Sequence, residues 1–356
     1  MLKDFSRIKA GLFSSNLPGH DYLFNLCEKT CDLLEKEITD YRPADNKGRA
    51  GALLDFTSNP LPTIIVPDIH ARPDFIFNIL NYKLPKEYIN YSDRSIFHAL
   101  KKGLVRIICV GDALHTEKTI NRWQAIQAEF DSGISTGPYM SAEMLEGLNT
   151  ITVLMELKLL FPDLVHFLKG NHENILNKSG NGDFAFGKYA DEGYMVKKFM
   201  FDFYGDDVLY MISCLEKELP LISVNKDYVI SHAEPENVYF LHEFINAREN
   251  PKIIEDLTWT ANGDVKTLTV PKIMKALLKK DNLEGSYYFA GHRPVNGDFS
   301  FRQNGLFVQI HNPSKQNIVF IDPNKKINLE ESILHLDKKR GSCYDLKIRE
   351  KRDTLD

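Results

Sequence analysis

Five apolar runs in this chain finish the same way, with a polar side chain at the carboxyl end. Thr63–Val66 leads into Pro67-Asp68-Ile69-His70, and Val105–Val110 leads into Gly111-Asp112. Leu164–Leu168 ends in Lys169-Gly170-Asn171-His172-Glu173, Tyr228–Ser231 in His232, and Tyr287–Ala290 in Gly291-His292. Short β-branched and aromatic runs bounded by turn residues predict buried strands. Between them the period changes. Leu23, Leu26, Cys27, Cys31 and Leu34 recur at helical spacing within residues 20–40, and Arg42 to Gly48 breaks that pattern. Pro73 to Leu80 reads as a helix start, and Ser141 to Phe161, with Met144, Leu148, Ile151 and Met155 on one face, reads as a full helix. Phe299–Arg302, Asn304-Gly305 and Leu306–Ile310 carry a hairpin signal, and Ile318–Ile321 adds another strand.

Strand, polar turn, helix is the order that builds an α/β sheet sandwich. In such folds ligands collect where strands stop and side chains converge. The expected organisation is a helical N-terminal extension over 1–60, a catalytic domain over 61–325 with an insertion at 113–140, and a charged tail over 326–356. The extension either covers a sheet edge or mediates association. Loop residues Asp131 to Pro138 lie within the insertion.

Composition narrows the chemistry. The 356 residues carry 44 basic and 49 acidic side chains, a formal charge of -5, without a basic tract suited to a nucleic acid polymer. Lys338-Lys339-Arg340 reads as part of a solvated tail. The N-terminus lacks the apolar stretch of a signal peptide, and no run reaches the length of a membrane span, so a cytoplasmic protein without membrane contact is expected. Five cysteines without a CxxC read as reduced packing thiols, which leaves nitrogen and oxygen to bind any metal.

Taken together, Asp68, His70, Asp112, Asn171, His172, His232 and His292 form a mixed nitrogen and oxygen set. Such a set suits borderline divalent ions such as Mn, Fe, Zn or Ni. Two ions sharing a carboxylate can activate a water between them and hold a phosphoryl group for in-line attack.

In order, Asp-x-His, Gly-Asp, Gly-Asn-His-Glu, a lone His after a strand and a final Gly-His resemble the calcineurin-like metallophosphoesterases. The likeness is greatest to the phosphoprotein phosphatase branch, which includes serine/threonine phosphatases and diadenosine tetraphosphatases. It spans about Thr63 to Asp322, and the flanking segments Asn149–Asp163, Leu219–Pro235 and Asp256–Trp259 share it. The resemblance implies two divalent ions, with Asp68 and His70 on the first, Asp112 bridging, and Asn171, His232 and His292 on the second. It implies a sandwich of two mixed sheets flanked by helices, His172 as the acid that protonates the leaving group, and a hydroxide bridging the metals that Asp112 joins as the nucleophile.

The departures are specific. Pro294 stands where many members have a second histidine after Gly-His, which leaves the first metal more open to water. After Gly111-Asp112, His115 and Thr116 replace the usual Asp and Arg, so the partner of His172 is missing and His115 becomes a candidate substrate contact. No match to a second phosphate-gripping arginine lies between Trp259 and Gly291. Arg293 and Arg72 are the substitute cations, Arg293 being preferred, and Asn171 also faces substrate. Lys169 reads as positional support. Arg122 and Trp123 either cap the site or pack.

The expected activity is hydrolysis of phosphate monoesters, with a phosphoprotein or a small phosphate ester as substrate and a serine/threonine phosphatase-like enzyme as one form of it. A nucleotide or dinucleoside polyphosphate hydrolase, with Trp123 and Tyr139 holding a base, is the alternative. A metal-binding regulatory module that has lost turnover is the third reading.

Overall fold

Period-two alternation sends neighbouring residues of each strand into different cores, which explains why the apolar runs are continuous rather than amphipathic. Ile65, Ile108, Val110, Ile230, Phe289, Val308, Val319 and Ile321 meet in one cluster between two sheets. Their neighbours Ile64, Val66, Ile107, Cys109, Ile318 and Phe320 face helices on one outer side. Val229, Tyr288, Ala290 and Phe307 face helices on the other.

The computed structural model describes residues 2–88, 91–116, 120–265 and 268–336. Among these, the strands are β1 (Leu53–Asp55), β2 (Thr63–Val66), β3 (Arg106–Cys109), β4 (Val165–Phe167), β5 (Ile222–Val224), β6 (Tyr228–Ser231), β7 (Tyr287–Ala290), β8 (Ser300–Arg302), β9 (Phe307–Gln309), β10 (Asn317–Ile321) and β11 (Ile333–His335). One sheet runs β1-β5-β6-β7-β9-β8 and the other β11-β10-β2-β3-β4. Parallel pairing of β2, β3 and β4, and of β6, β7 and β9, brings the carboxyl ends of six strands to the same rim.

The helices are α1 (Leu2–Leu12), α2 (His20–Glu35), α3 (Pro73–Asn81), α4 (Ile96–Lys101), α5 (Ile120–Asp131), α6 (Pro138–Leu160), α7 (Glu192–Tyr204), α8 (Asp206–Glu218), α9 (Leu241–Ile245), α10 (Pro251–Thr258), α11 (Val270–Leu278) and α12 (Leu329–Ser332). α6 starts three residues before the Ser141 expected from the pattern. Pro138 occupies its first turn, and the Glu129 carboxylate on α5 accepts from Tyr139 N and Met140 N, both at 2.9 Å, so a neighbouring helix supplies the cap.

Residues 1–60 are tied into the whole. Ile8, Leu12, Leu23 and Cys27 are fully buried in the helical core, and β1 pairs in parallel with β5 at the edge of the six-stranded sheet. β11 pairs antiparallel with β10, so Ile333–His335 of the segment expected as a tail forms a sheet edge. The rest of that tail, 337–356 with Lys338-Lys339-Arg340, lies outside the described residues. The expected hairpin forms β8 and β9, with Asn304 and Gly305 at positive φ in the turn. Cys27, Cys31 and Cys109 are buried free thiols. Among the described residues no helix is long and apolar enough to cross a membrane.

Candidate metal centre

Three of the converging residues sit in a backbone region that L side chains rarely adopt. His70, Asp112 and His292 have φ of 45°, 53° and 64°, conformations that cost of order 1 kcal/mol each and must be enforced by their surroundings. Main-chain bonds between loops enforce them. His70 N donates to Asp112 O at 2.7 Å, Ala71 N to Ala113 O at 2.9 Å, and Gly291 N to His232 O at 2.9 Å. His292 N donates to Asp68 Oδ2 at 2.8 Å, and His172 N to Asp112 Oδ1 at 3.0 Å.

Glu173 ties two of these loops together. Its buried carboxylate accepts from Asp112 N (2.9 Å), Ala113 N (2.8 Å) and Gly170 N (2.6 Å). Burial and the Asp112 carboxylate push the Glu173 carboxyl up to about 7, against the pull of the three N–H donors. Lys169 is buried, donates to Glu173 O and pairs with Asp183 at 3.0 Å, a positional role.

The imidazoles are oriented as metal ligands are. His70 Nδ1 donates to His115 O at 2.9 Å and His232 Nδ1 to Val110 O at 3.0 Å, which leaves each Nε2 with a lone pair facing the centre. His232 Nε2 lies 2.9 Å from Asn171 Oδ1 and 3.4 Å from Asp112 Oδ2. His292 Nδ1 lies 3.0 Å from the same Asn171 Oδ1. His70 Nε2 is 3.7 Å from Asp112 Oδ2. Burial lowers the His232 pKa to about 3, and burial and the neighbouring His232 put His292 well below its ordinary value, so both rings are neutral. Neutral imidazole lone pairs and amide and carboxylate oxygens this close repel one another unless a cation lies among them. The donor set therefore fits divalent metal.

Sequence reasoning missed one residue of this rim. His311, two positions past β9, is fully buried, with Nδ1 3.5 Å from Asp68 Oδ2 and its ring 5.3 Å from that of His70. Ligand atoms of Asp68, His70 and His311 lie within 4.8 Å of one another, as do those of Asp68, Asp112 and His232. The signal was present, because Leu306–Ile310 is a sixth apolar run that ends in a histidine.

The remaining candidates divide. His172 is half-buried, wedged among His70 (5.3 Å between ring centroids), His115 (5.3 Å) and Phe186 (4.6 Å), and its Nδ1 has no hydrogen-bond partner among the described residues. His115 stands beside it with both ring nitrogens unpartnered, its pKa held well below the usual value by burial and then by His172 and His70. At 3% exposure and packed on Phe186, His115 turns no donor outward for a substrate. Thr116 binds Glu143 through its N–H (3.1 Å) and hydroxyl (2.8 Å), and Arg122 pairs with Glu143 and Glu146.

Arg72 does not offer a free guanidinium to phosphate. It donates to Asp68 O (2.6 Å), Ile69 O (2.9 Å) and Lys315 O (3.1 Å) and stacks on Phe75. Arg293 is exposed beside His292, and no described residue bonds or pairs with its side chain. Trp123 is 1% exposed in the helical core and cannot hold a base, whereas Tyr139 is exposed. A cavity of about 350 Å³ is lined by Phe186 together with Asn177, Lys188, Asp191 and Tyr194.

No protein-family model matches the sequence, and no curated protein matches it. Solved structures do. A protein serine/threonine phosphatase from Saccharomyces cerevisiae, described as similar to a human phosphatase, superposes with a TM-score of 0.52 at 16% identity over 89% of each chain. A cold-active protein-tyrosine phosphatase from a Shewanella species gives 0.45 at 14% identity, covering 80% of this chain and 82% of that one. A metallophosphoesterase from Sphaerobacter thermophilus gives 0.34 at 11%, covering 84% and 96%.

Proposed function

On the calcineurin-like metallophosphoesterase fold of this chain, we propose a dinuclear metal-dependent phosphatase that hydrolyses phosphate monoesters, phosphoserine and phosphothreonine among them. One observation carries the reading: neutral His232 and His292 nitrogens meet at Asn171 Oδ1 (2.9 and 3.0 Å), and Asp112 Oδ2 faces both His232 Nε2 of that group (3.4 Å) and His70 Nε2 (3.7 Å) of a second group with Asp68. Asp112 is common to both, which is the role a bridging carboxylate needs. Asp68 and His70 would hold the first ion with it, and Asn171, His232 and His292 the second. When bound, two divalent ions supply Lewis-acid polarisation of the phosphoryl group and an activated water for in-line attack.

The chain's own residues then have distinct tasks. His172, its backbone N–H fixed on Asp112 Oδ1 and its ring packed on Phe186, is the proton donor to the departing oxygen. Packing on Phe186 holds that ring, and no described residue accepts from its Nδ1. Exposed Arg293 meets phosphate charge from the open side, and a guanidinium can grip two phosphate oxygens at once. The deep burial of Asp68, His70, Asp112 and His232 excludes bulk water, leaving half-buried His172 and His292 at the entrance. The cavity lined by Phe186, whose ring packs on His172, would take the alcohol side of a substrate.

A nucleotide or dinucleoside polyphosphate hydrolase is the second reading, favoured by Tyr194 on that cavity, where a base could stack. One panel separates the two: phosphopeptides, mononucleotides and dinucleoside polyphosphates, each with Mn²⁺, for the native chain and His172→Ala. Faster phosphate release from phosphopeptides supports the proposal, and release from dinucleoside polyphosphates alone favours the second reading. Two bound ions without release from any member would leave a metal-binding regulatory module. Native turnover of a phosphoserine peptide, whose alkoxide leaving group needs a proton, in His172→Ala would remove the acid role.

A further inference from the structure

We propose that His311 is a ligand of the first ion, closing the side of that site that Pro294 leaves without a histidine. The inference rests on the metal-dependent reading above and adds a residue to it. Topology brings His311 there. β9 runs parallel to β7 with Ala290 opposite Gln309, and Ile310 N donates to Ala290 O at 2.9 Å. Continuing that register by two residues sets His311 opposite His292, so both histidines emerge at the same rim.

The position is fixed from three directions. Val295 N donates to His311 O at 2.8 Å, and Asn312 Nδ2 donates to Val295 O (2.9 Å) and Gly297 O (2.8 Å), lacing the loop that carries Pro294 to the end of β9. Gln309 Nε2 donates to Gly291 O at 3.2 Å. Arg72 clamps the opposite side, because one guanidinium binds carbonyls of Asp68 and Ile69 and also of Lys315, just past His311. Within this frame His311 Nδ1 comes to 3.5 Å from Asp68 Oδ2, and both rings of the group, His70 and His311, are buried with the carboxylate. Their ligand atoms already fall within 4.8 Å of one another.

With His311 included, the first site has two carboxylates, Asp68 and Asp112, and two imidazoles. That donor set favours Zn, Mn, Fe or Co over Mg or Ca, which prefer all-oxygen shells. The first ion is then held by four protein ligands, one more than the Asp68, His70 and Asp112 set.

The test is binding of Co²⁺ to the metal-free full chain, following bound ion by equilibrium dialysis and the visible absorption of the bound cobalt. The native chain should take up two ions. His311→Ala should keep one and bind the other at least about tenfold more weakly, with reduced cobalt absorption from the first site. Two ions of native affinity with an unchanged spectrum in His311→Ala would overturn the assignment. His311 is buried, so near-ultraviolet circular dichroism of the metal-free variant must match the native chain. If it does not, His311→Gln replaces it, and native affinity in that variant is equally contradictory. A native chain that binds no cobalt would defeat the underlying metal-dependent reading, an outcome distinct from failure of His311 alone.

Discussion

Gly170→Ala probes the packing that holds the bridging carboxylate. Gly170 has no positive φ, so alanine is allowed by the backbone and the effect is steric. A Cβ there would stand 2.2 Å from Asp112 Oδ1, 2.8 Å from Asp112 N and 2.9 Å from Glu173 Oε2. Two of these atoms belong to the Asp112 loop and the third to the carboxylate that fastens it, so no flexible side-chain end can yield. Relief requires Asp112 to swing away by more than an ångström, which breaks its bond from His172 N and stretches those that Glu173 accepts from Asp112 N and Gly170 N. Overpacking costs about 1–3 kcal/mol, and loss of a buried charge-assisted bond about 1.5–3 kcal/mol. Against a gain below about 1 kcal/mol from a stiffer unfolded chain, the net is a loss of about 2–5 kcal/mol. At roughly 2 °C per kcal/mol for a chain of this size, Tm should fall by about 4–10 °C. Equilibrium dialysis should show weakened binding of both ions. Gly19→Ala is the control, since nothing lies within 4 Å of the added Cβ, and it should stay within about 1 kcal/mol. A Gly170→Ala chain with native Tm and two tightly bound ions would refute the packing argument.

Two further outcomes follow from named contacts. Asp112→Ala should lower occupancy of both ions, and full two-ion stoichiometry by elemental analysis would exclude a shared ligand. Glu216 on α8 accepts from Ile175 N through both oxygens (3.0 and 2.9 Å), and burial pushes its carboxyl up to about 8 from an ordinary 4.5. The folded chain therefore keeps a proton that the unfolded chain releases. Stability from this group is full below about pH 4.5 and lost as pH rises through 8. The Tm of the metal-free native chain should decline across that window more steeply than that of Glu216→Gln, and parallel curves would contradict this.

The strand ends at Asp68, Asp112, Asn171, His232 and His292 were legible because buried runs and polar turns differ sharply in composition. His311 does not stand out from the same signal, because Leu306–Ile310 also carries a hairpin signal. A parallel partner, β7, makes it a ligand-bearing strand, and strand partners are not written in local sequence. The three-residue edge strands β1 and β11 are too short to show a period, and only pairing with β5 and β10 defines them. Arg72 and Trp123 illustrate the converse. Their residue types suit phosphate and base contacts, yet carbonyl partners and core burial claim them, and those are tertiary facts. That His115 stands where an acid would pair with His172 was legible; that its ring packs on Phe186 was not.

Titration of the metal-free chain with Mn²⁺, measuring bound ion and phosphate released from a phosphopeptide in the same samples, tests the central claim most directly. The account predicts two ions per chain, with hydrolysis rising as the second is bound. Saturation at a single ion, or hydrolysis at full rate with none bound, would contradict it.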